Sequence, residues 1–205
     1  MSLSRLCSYQ NPKYNKLAKM DKTNKTEFLR TFLIEALPEP LTRASRHLQF
    51  FDNYIANTRM RLRNLRDPLT KKWTHILQQR FPAQSDDVSC LKIAEIYLNE
   101  AEYGRFQLFE GNEIRKNRYF HEFDRKSFSF DVYLGELWGV NIARVEFDSA
   151  DAMKTFEPPP FAVFEVTNDP FFLGDNLVFK KFADAQAEVA AIGSNMPLAA
   201  AVVDE

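Results

Sequence analysis

Residues 58–63 read Thr58-Arg59-Met60-Arg61-Leu62-Arg63, and basic and apolar side chains alternate along them. A β-strand sends successive side chains to opposite faces, so this stretch predicts a strand with all three arginines on one face. Three guanidinium groups buried in an ordinary apolar core would each cost several kcal/mol. The arginine face is therefore expected to look either at water or at an anion.

The neighbouring stretches repeat this arrangement of cations. Asp52-Asn53-Tyr54-Ile55 predicts a strand before the arginines, and residues 73–81 predict a strand after them. On that later strand Gln78 and Arg80 alternate, and a third strand carries cations at residues 116 and 118. Three such strands could line a basic tunnel, because guanidinium forks suit phosphate oxygens. Solvent exposure of the same faces is the alternative.

Carboxylates also occur inside otherwise apolar strands. Glu146 follows Ala143-Arg144-Val145, and Glu165 lies in Phe164-Glu165-Val166-Thr167. Mg²⁺ takes oxygen ligands and often bridges one or two carboxylates to phosphates, so these residues are candidate metal ligands. Glu27 and Asp131 are further candidates. The alternative for each is an ordinary residue on the surface of a strand.

Several classes of site are excluded by the composition of this chain of 205 residues. Its two cysteines, Cys7 and Cys90, have no CxxC partner, and its three histidines form no HExxH, so zinc sites and disulfide frameworks are not expected. Neither a GxxxxGK[ST] nor a GxGxxG motif occurs. The sequence has no apolar run of about 18 residues and no recognisable signal peptide. We therefore expect a cytoplasmic protein without a membrane partner.

The charge is divided unevenly along the chain. Residues 1–80 hold 16 Lys and Arg against 6 Asp and Glu, whereas residues 81–205 hold 11 against 22. A basic half alone would suggest nucleic acid. Packed together in one domain, the two halves could instead grip a phosphate with cations and hold a metal with carboxylates. Separate solvation of each half is the simpler alternative.

About eight strands with inserted helices predict an α+β protein, built as an eight-stranded antiparallel β tunnel, a closed or nearly closed barrel with peripheral helices. The first strand is predicted at residues 28–34, a loop at 83–90 and the last strand at 161–167. Helices are predicted at residues 37–49, 100–109, 151–156 and 182–192. The predicted organisation is a flexible arm at 1–25, a tunnel domain at 26–192 and a loose alanine-rich tail at 193–205.

Short motifs follow one another between about residues 27 and 180. They are Glu27-Phe28-Leu29-Arg30-Thr31-Phe32-Leu33, Asp52-Asn53-Tyr54-Ile55 with Arg61-Leu62-Arg63, Leu77-Gln78-Gln79-Arg80-Phe81-Pro82, Ile96-Tyr97-Leu98 with Glu102-Tyr103, Lys116-Asn117-Arg118, Asp131-Val132-Tyr133-Leu134-Gly135-Glu136-Leu137, Ala143-Arg144-Val145-Glu146-Phe147 and Glu165-Val166-Thr167-Asn168-Asp169. In this order they resemble the CYTH superfamily, also called triphosphate tunnel metalloenzymes, and in particular its bacterial branch.

The resemblance implies a tunnel that binds triphosphate-containing molecules or inorganic polyphosphate. The implied phosphate ligands are Arg59, Arg61, Arg63, Arg80, Lys116 and Arg118. The implied metal ligands, for Mg²⁺ or Mn²⁺, are Glu27, Glu146 and Glu165. Activities across the family include inorganic triphosphatase, RNA triphosphatase, thiamine triphosphatase and one class of adenylate cyclase.

The chain departs from the family pattern mainly on the metal side. In the family's opening ExExK motif, Leu29 stands for the second glutamate and Thr31 for the lysine, and Arg144 stands for the first glutamate of a later ExE motif. The loss of two carboxylates and the gain of one cation disfavour a bare metal ion and favour a polyanion. We therefore predict a metal-dependent triphosphatase of reduced activity. The alternatives are a non-catalytic module that binds polyphosphate or a nucleotide, and a nucleic-acid binder.

Overall fold

The computed structural model describes residues 23–84, 87–109 and 111–195. The strands are β1 (Thr23–Leu33), β2 (His47–Tyr54), β3 (Met60–Arg66), β4 (Trp73–Gln84), β5 (Asp87–Leu98), β6 (Asn112–Phe123), β7 (Lys126–Tyr133), β8 (Asn141–Phe147) and β9 (Phe164–Glu165). The helices are α1 (Glu100–Phe106), α2 (Ala150–Lys154), α3 (Gly174–Leu177) and α4 (Phe182–Asn195). Three 3₁₀ turns lie at Gln107–Phe109, Gly135–Leu137 and Pro170–Phe172.

Eight of the strands close into an antiparallel barrel in the order β1, β5, β4, β3, β2, β6, β7 and β8. The strand β1 closes the ring, because its first half pairs with β5 and its second half with β8. Glu27 thus lies opposite Leu91, and Leu29 lies opposite Glu146. The short β9 adds to β1 at Phe32. This architecture confirms the α+β, eight-stranded antiparallel barrel expected from the sequence.

The helix predicted at residues 37–49 is wrong. Pro38 and Pro40 lack an amide hydrogen and push the residues before them out of the helical region, and the structure forms turns there instead. From His47 onwards the chain is strand β2, in which the buried Leu48 and Phe50 alternate with the less buried Gln49. The period of two therefore prevails over the helical pattern in this segment.

Other boundaries also differ from the prediction: the first strand, predicted at 28–34, is β1 at Thr23–Leu33. Most of the predicted loop at residues 83–90 belongs to strands, because β4 continues to Gln84 and β5 begins at Asp87. The register of this pair shifts between Pro82 and Gln84, and such an irregularity tolerates a proline that cannot donate to the ladder. The strand predicted at 161–167 is reduced to Phe164–Glu165, although Val166 N still donates to Thr31 O.

The predicted arm and tail lie mostly outside the described residues. Of residues 1–25, the last three belong to β1, and of residues 193–205, the first three belong to α4. Residues 1–22 and 196–205 are not described. In the part of the chain that the structure describes, no helix is long and apolar enough to cross a membrane.

Apolar side chains pack both outside and at the ends of the barrel. On the outer wall, Phe32, Phe128 and Phe130 pack against Phe156 and Phe161, which both follow helix α2. A second cluster covers the end where β1 leaves the barrel, and its buried members are Leu33, Ile114, Tyr133, Leu137, Val140, Ile142, Val166, Phe172, Leu177 and Ala185. The helices α3 and α4 and the turns Gly135–Leu137 and Pro170–Phe172 contribute to this cluster. They cover the same end of the barrel as the site described below.

Candidate anion-binding cavity in the barrel lumen

Apolar side chains from β2, β3 and β4 line the end of the lumen opposite this cap. Residues directly opposite each other in an antiparallel pair share a face, and this places Leu48, Phe50, Leu65 and Ile76 on the inner face of the barrel. All four are buried and pack together. They form an apolar floor where β2 begins and β3 ends.

Above the apolar floor, the fully buried Asp52 gathers three cations. Arg63 donates from Nε to Oδ1 at 2.5 Å and from Nη2 to Oδ2 at 2.7 Å. Arg61 Nη1 lies 3.3 Å from Oδ2, and Lys116 Nζ lies 3.6 Å from the same oxygen. Burial alone would raise the pKa of Asp52, but Arg61 and Arg63 hold that pKa well below its usual range. Asp52 is therefore ionised inside the barrel.

Asp131 is the second buried anion of the lumen. Arg118 donates to its two oxygens at 2.5 and 2.6 Å, and Lys116 Nζ lies 2.9 Å from Oδ2. Burial alone would raise the pKa of Asp131, but Arg118 and Lys116 lower it. Burial lowers the pKa of Lys116 to about 7, against the attraction of Asp131 and together with the repulsion of Arg144.

Three of the predicted phosphate ligands are thus held in a charged layer on top of the apolar floor. Arg63 and Arg118 also lie over the Phe50 ring, at 4.9 and 4.6 Å from its centroid. Arg63, Arg118 and Lys116 form ion pairs with Asp52 and Asp131. None of the three cations lines the cavity described next. A phosphate-binding role for these three residues stays a prediction.

A cavity of about 250 Å³ lies between the charged layer and the capped end of the barrel. Its charged lining residues are Arg59, Arg61, Arg80, Arg144 and Asp175. Arg59 and Asp175 are exposed at the rim, where the cavity reaches solvent. Four cations against one carboxylate give the wall a strong positive excess.

Two guanidinium groups in this wall each contain a buried Nε donor without a hydrogen-bond partner among the described residues. The Nε atoms of Arg80 and Arg144 are buried, and neither has a partner in the described part of the chain. Burial lowers the pKa of Arg80 to about 9, and repulsion by Arg61 and Arg144 adds to the effect. A buried donor without a partner is rare in folded proteins, because it costs the full desolvation penalty of the group. Both arginines line the cavity, so their guanidinium groups are placed beside any anion that enters it.

Arg61 is held more firmly than Arg80. Its Nε donates to Gln78 Oε1 at 2.7 Å, and Gln78 Nε2 in turn donates to Glu95 Oε1 at 2.5 Å. Arg61 Nη1 also donates to the Tyr54 hydroxyl at 3.2 Å. Tyr54 is fixed in turn by the chain at Gly174, where any Cβ atom would overlap its hydroxyl. Arg61 is therefore pre-oriented at the cavity wall.

Two of the predicted metal ligands lie on the inner face of β1 and β8. Glu27 forms an ion pair with Lys25, and its side chain is 14% exposed. Burial alone would raise the pKa of Glu27, but Lys25 and then Arg80 lower it. Glu146 is exposed and shares a face with Leu29, its partner in register.

Glu165 lies apart from both of them. In register it stands opposite Phe32, whose side chain belongs to the outer aromatic cluster. Its carboxylate accepts from Arg30 Nε at 2.8 Å, from Arg30 Nη2 at 2.5 Å and from Thr167 Oγ1 at 2.7 Å. The structure therefore places Glu165 on the outer wall of the barrel and brings it together with Arg30, not with Glu27 or Glu146.

These placements do not fit a divalent cation held by the protein alone. Within residues 23–84, 87–109 and 111–195, no three His, Cys, Asp or Glu side chains are grouped so that they could ligate a metal. Next to Glu146 on the wall, Leu29 is apolar and Arg144 is a cation, so neither can ligate a metal. A wall that already carries excess positive charge repels a further cation.

Sequence reasoning missed the part that Arg144 and Tyr54 play in the cavity. A signal for Arg144 was present, because Arg144 and Glu146 are two residues apart on one strand and so share a face. The engagement of Arg63 by Asp52 and of Arg118 by Asp131 had no such signal. It depends on which residues stand opposite each other across strands.

Comparison with known proteins supports a relationship to one class of enzyme. No family model matches the chain. The chain is 41% identical over 61 residues to an inorganic triphosphatase of Nitrosomonas europaea, a stretch that covers 29% of this chain and 40% of that protein. It is 36% identical over 93 residues to an inorganic triphosphatase of Acetivibrio thermocellus, covering 44% and 58% respectively. The chain thus spans about half the length of the curated relatives it matches.

A solved structure shares the fold. The structure of an inorganic triphosphatase superposes with a TM-score of 0.52 and 23% sequence identity, over 75% of this chain and 95% of that one. At this identity the likeness shows a common barrel architecture.

Proposed function

We propose that this chain is a member of the CYTH superfamily and that its lumen cavity binds inorganic triphosphate or a short polyphosphate. The observation that carries the proposal is that Arg61, Arg80 and Arg144 line one cavity, while the buried Nε donors of Arg80 and Arg144 have no partner in the described residues. Guanidinium donors match phosphate oxygens in geometry and charge. The two relatives named inorganic triphosphatase support the same ligand class.

The size of the cavity favours a small ligand. Its volume of about 250 Å³ falls below the range of roughly 300–1,000 Å³ that is typical of sites for drug-sized ligands. Inorganic triphosphate is therefore a better fit than a nucleotide. Nucleic acid is a poor fit, because Arg61 and Arg63 point into the lumen and are buried.

Hydrolysis is the second part of the proposal, at a reduced rate. The predicted Mg²⁺ or Mn²⁺ would arrive as part of the substrate, bound to the polyanion, since the chain offers no closed set of carboxylates. The test is a screen of phosphate release from tripolyphosphate, ATP and thiamine triphosphate with each metal, next to calorimetric titration of tripolyphosphate. We expect binding of tripolyphosphate and a turnover below about 1 per second, the lower edge of the usual enzyme range.

Each outcome of this screen has a clear meaning. A turnover well inside the usual range of about 1–1,000 per second would contradict the reduced activity. Binding without any release would favour the non-catalytic module. If tripolyphosphate neither binds nor is cleaved, the proposed site is wrong.

Restoring the missing carboxylates should raise metal-dependent phosphate release. Leu29 and Arg144 lie on the same inner wall as Glu146, so the double substitution Leu29→Glu with Arg144→Glu would create three neighbouring carboxylates there. We expect release that depends on added Mg²⁺ or Mn²⁺ and exceeds that of the wild type. The matched control is Leu108→Glu with Arg115→Glu, which changes two exposed residues by the same charges. Equal rates for the double variant and the wild type would count against our interpretation of the two departures.

A further inference from the structure

Arg144 stands on the cavity wall with little to neutralise it. Its neighbours in register are Thr31 on β1 and Ser129 on β7, neither of which carries a charge. Arg144 Nη1 lies 3.8 Å from Asp131 Oδ2, near the outer limit of an ion pair.

That aspartate is already engaged by other cations. Its two oxygens receive Arg118 at 2.5 and 2.6 Å and Lys116 at 2.9 Å, distances much shorter than the one to Arg144. The Nε atom of Arg144 is buried and has no partner in the described residues. The positive charge of Arg144 is therefore available to a ligand.

Resting on the proposed function, we propose that Arg144 supplies the positive charge that a divalent metal would otherwise bring, so that the cavity binds triphosphate without any metal. Arg144, Arg80 and Arg61 line one cavity, and guanidinium groups can each offer two parallel donors to a phosphate. The same charges that repel a free cation attract the anion. Binding by protein cations alone is therefore the expected mode.

This mode predicts how affinity responds to chelation. Mg²⁺ complexed to tripolyphosphate lowers the negative charge of the ligand, so added Mg²⁺ should leave the affinity equal or weaken it. The experiment is calorimetric titration of tripolyphosphate into the full chain, once with EDTA and once with excess Mg²⁺. We expect a measurable affinity in EDTA that is at least as high as with Mg²⁺.

Variants test whether Arg144 carries the effect. Arg144→Ala should weaken binding in EDTA by about 10- to 100-fold, the usual loss for a hydrogen bond to a charged group. The matched control is Arg115→Ala, which removes an exposed arginine that pairs with Glu113, and it should leave the affinity unchanged. Arg144→Lys keeps the charge and should retain part of the affinity. Thermal unfolding of each variant confirms that it is folded before titration.

The outcomes separate this inference from the proposed function. Binding that occurs only with Mg²⁺ would overturn the inference and leave the proposed ligand standing. Equal affinities of Arg144→Ala, Arg115→Ala and the wild type in EDTA would also overturn it. If tripolyphosphate binds under neither condition, the proposed function fails and the inference fails with it.

Discussion

Replacing Asp131 with alanine is expected to lower the free energy of unfolding by about 3–5 kcal/mol, because it leaves the buried charges of Arg118 and Lys116 without their main partner. The residue is fully buried, so its removal leaves two cations in an interior that solvates them poorly. Denaturant unfolding of wild type and variant measures the loss. The matched control is Asp148→Ala at an exposed site, which should change the stability by no more than about 0.5 kcal/mol.

The pH dependence of this loss has a definite sign. Burial would raise the pKa of Asp131, but Arg118 and Lys116 pull it below the usual value for aspartate. A lowered folded pKa means that the contribution is complete above the unfolded pKa of about 3.9 and disappears as the pH falls through the folded value. The stability difference between wild type and Asp131→Ala should therefore not shrink between neutral pH and about pH 5, and it should grow there as Lys116, whose pKa is about 7 in the wild type, gains its proton beside Asp131. A difference that already shrinks between those values would contradict the ion pairs described here.

Replacing Arg80 with alanine is expected to weaken tripolyphosphate binding by about 1.5–3 kcal/mol, the size of a hydrogen bond to a charged group. The same change should leave the unliganded protein equally stable or more stable. Burial and the neighbouring Arg61 and Arg144 already lower the pKa of Arg80, and its Nε has no partner to lose. Calorimetry and denaturant unfolding measure the two effects separately.

Arg61→Ala provides the comparison. Arg61 lines the same cavity, but it also donates to Asp52, Gln78 and Tyr54, so its loss should weaken binding and stability together. If Arg80→Ala weakens affinity without lowering stability, while Arg61→Ala lowers both, Arg80 is a residue that serves ligand binding. Loss of stability in Arg80→Ala without loss of affinity would assign it a purely structural role.

The fold could be predicted because a strand's period of two is a local property. The alternation around Met60 and Leu62 predicted the strand β3 and the shared face of Arg61 and Arg63, and both are present, whereas Arg59 precedes the strand. The helix expected at residues 37–49 failed because two prolines and the strand pattern after His47 outweigh the helical spacing. Local alternation indicates which side chains share a face of a strand. The positions of prolines indicate where a helix cannot form between strands.

The site could be predicted only in part, because its chemistry depends on register between distant strands. Alternation indicated that Arg61 and Arg63 share a face. It could not show that Arg63 would stand opposite Asp52 and so be engaged by it. For Glu165 the alternation was uninformative, since its strand has only two residues and its pairing opposite Phe32 turns the carboxylate outwards. Sequence separation conceals such pairings until the strands are aligned.

The apolar floor made by Leu48, Phe50, Leu65 and Ile76 blocks the lumen below the cavity. A linear phosphate chain would enter the cavity by one end, through the opening beside Arg59 and Asp175. It would leave through the same opening. We therefore expect a long polymer to enter this cavity by its end and not to pass the apolar floor. A ligand's terminus, and not its interior units, is what the arginines can grasp.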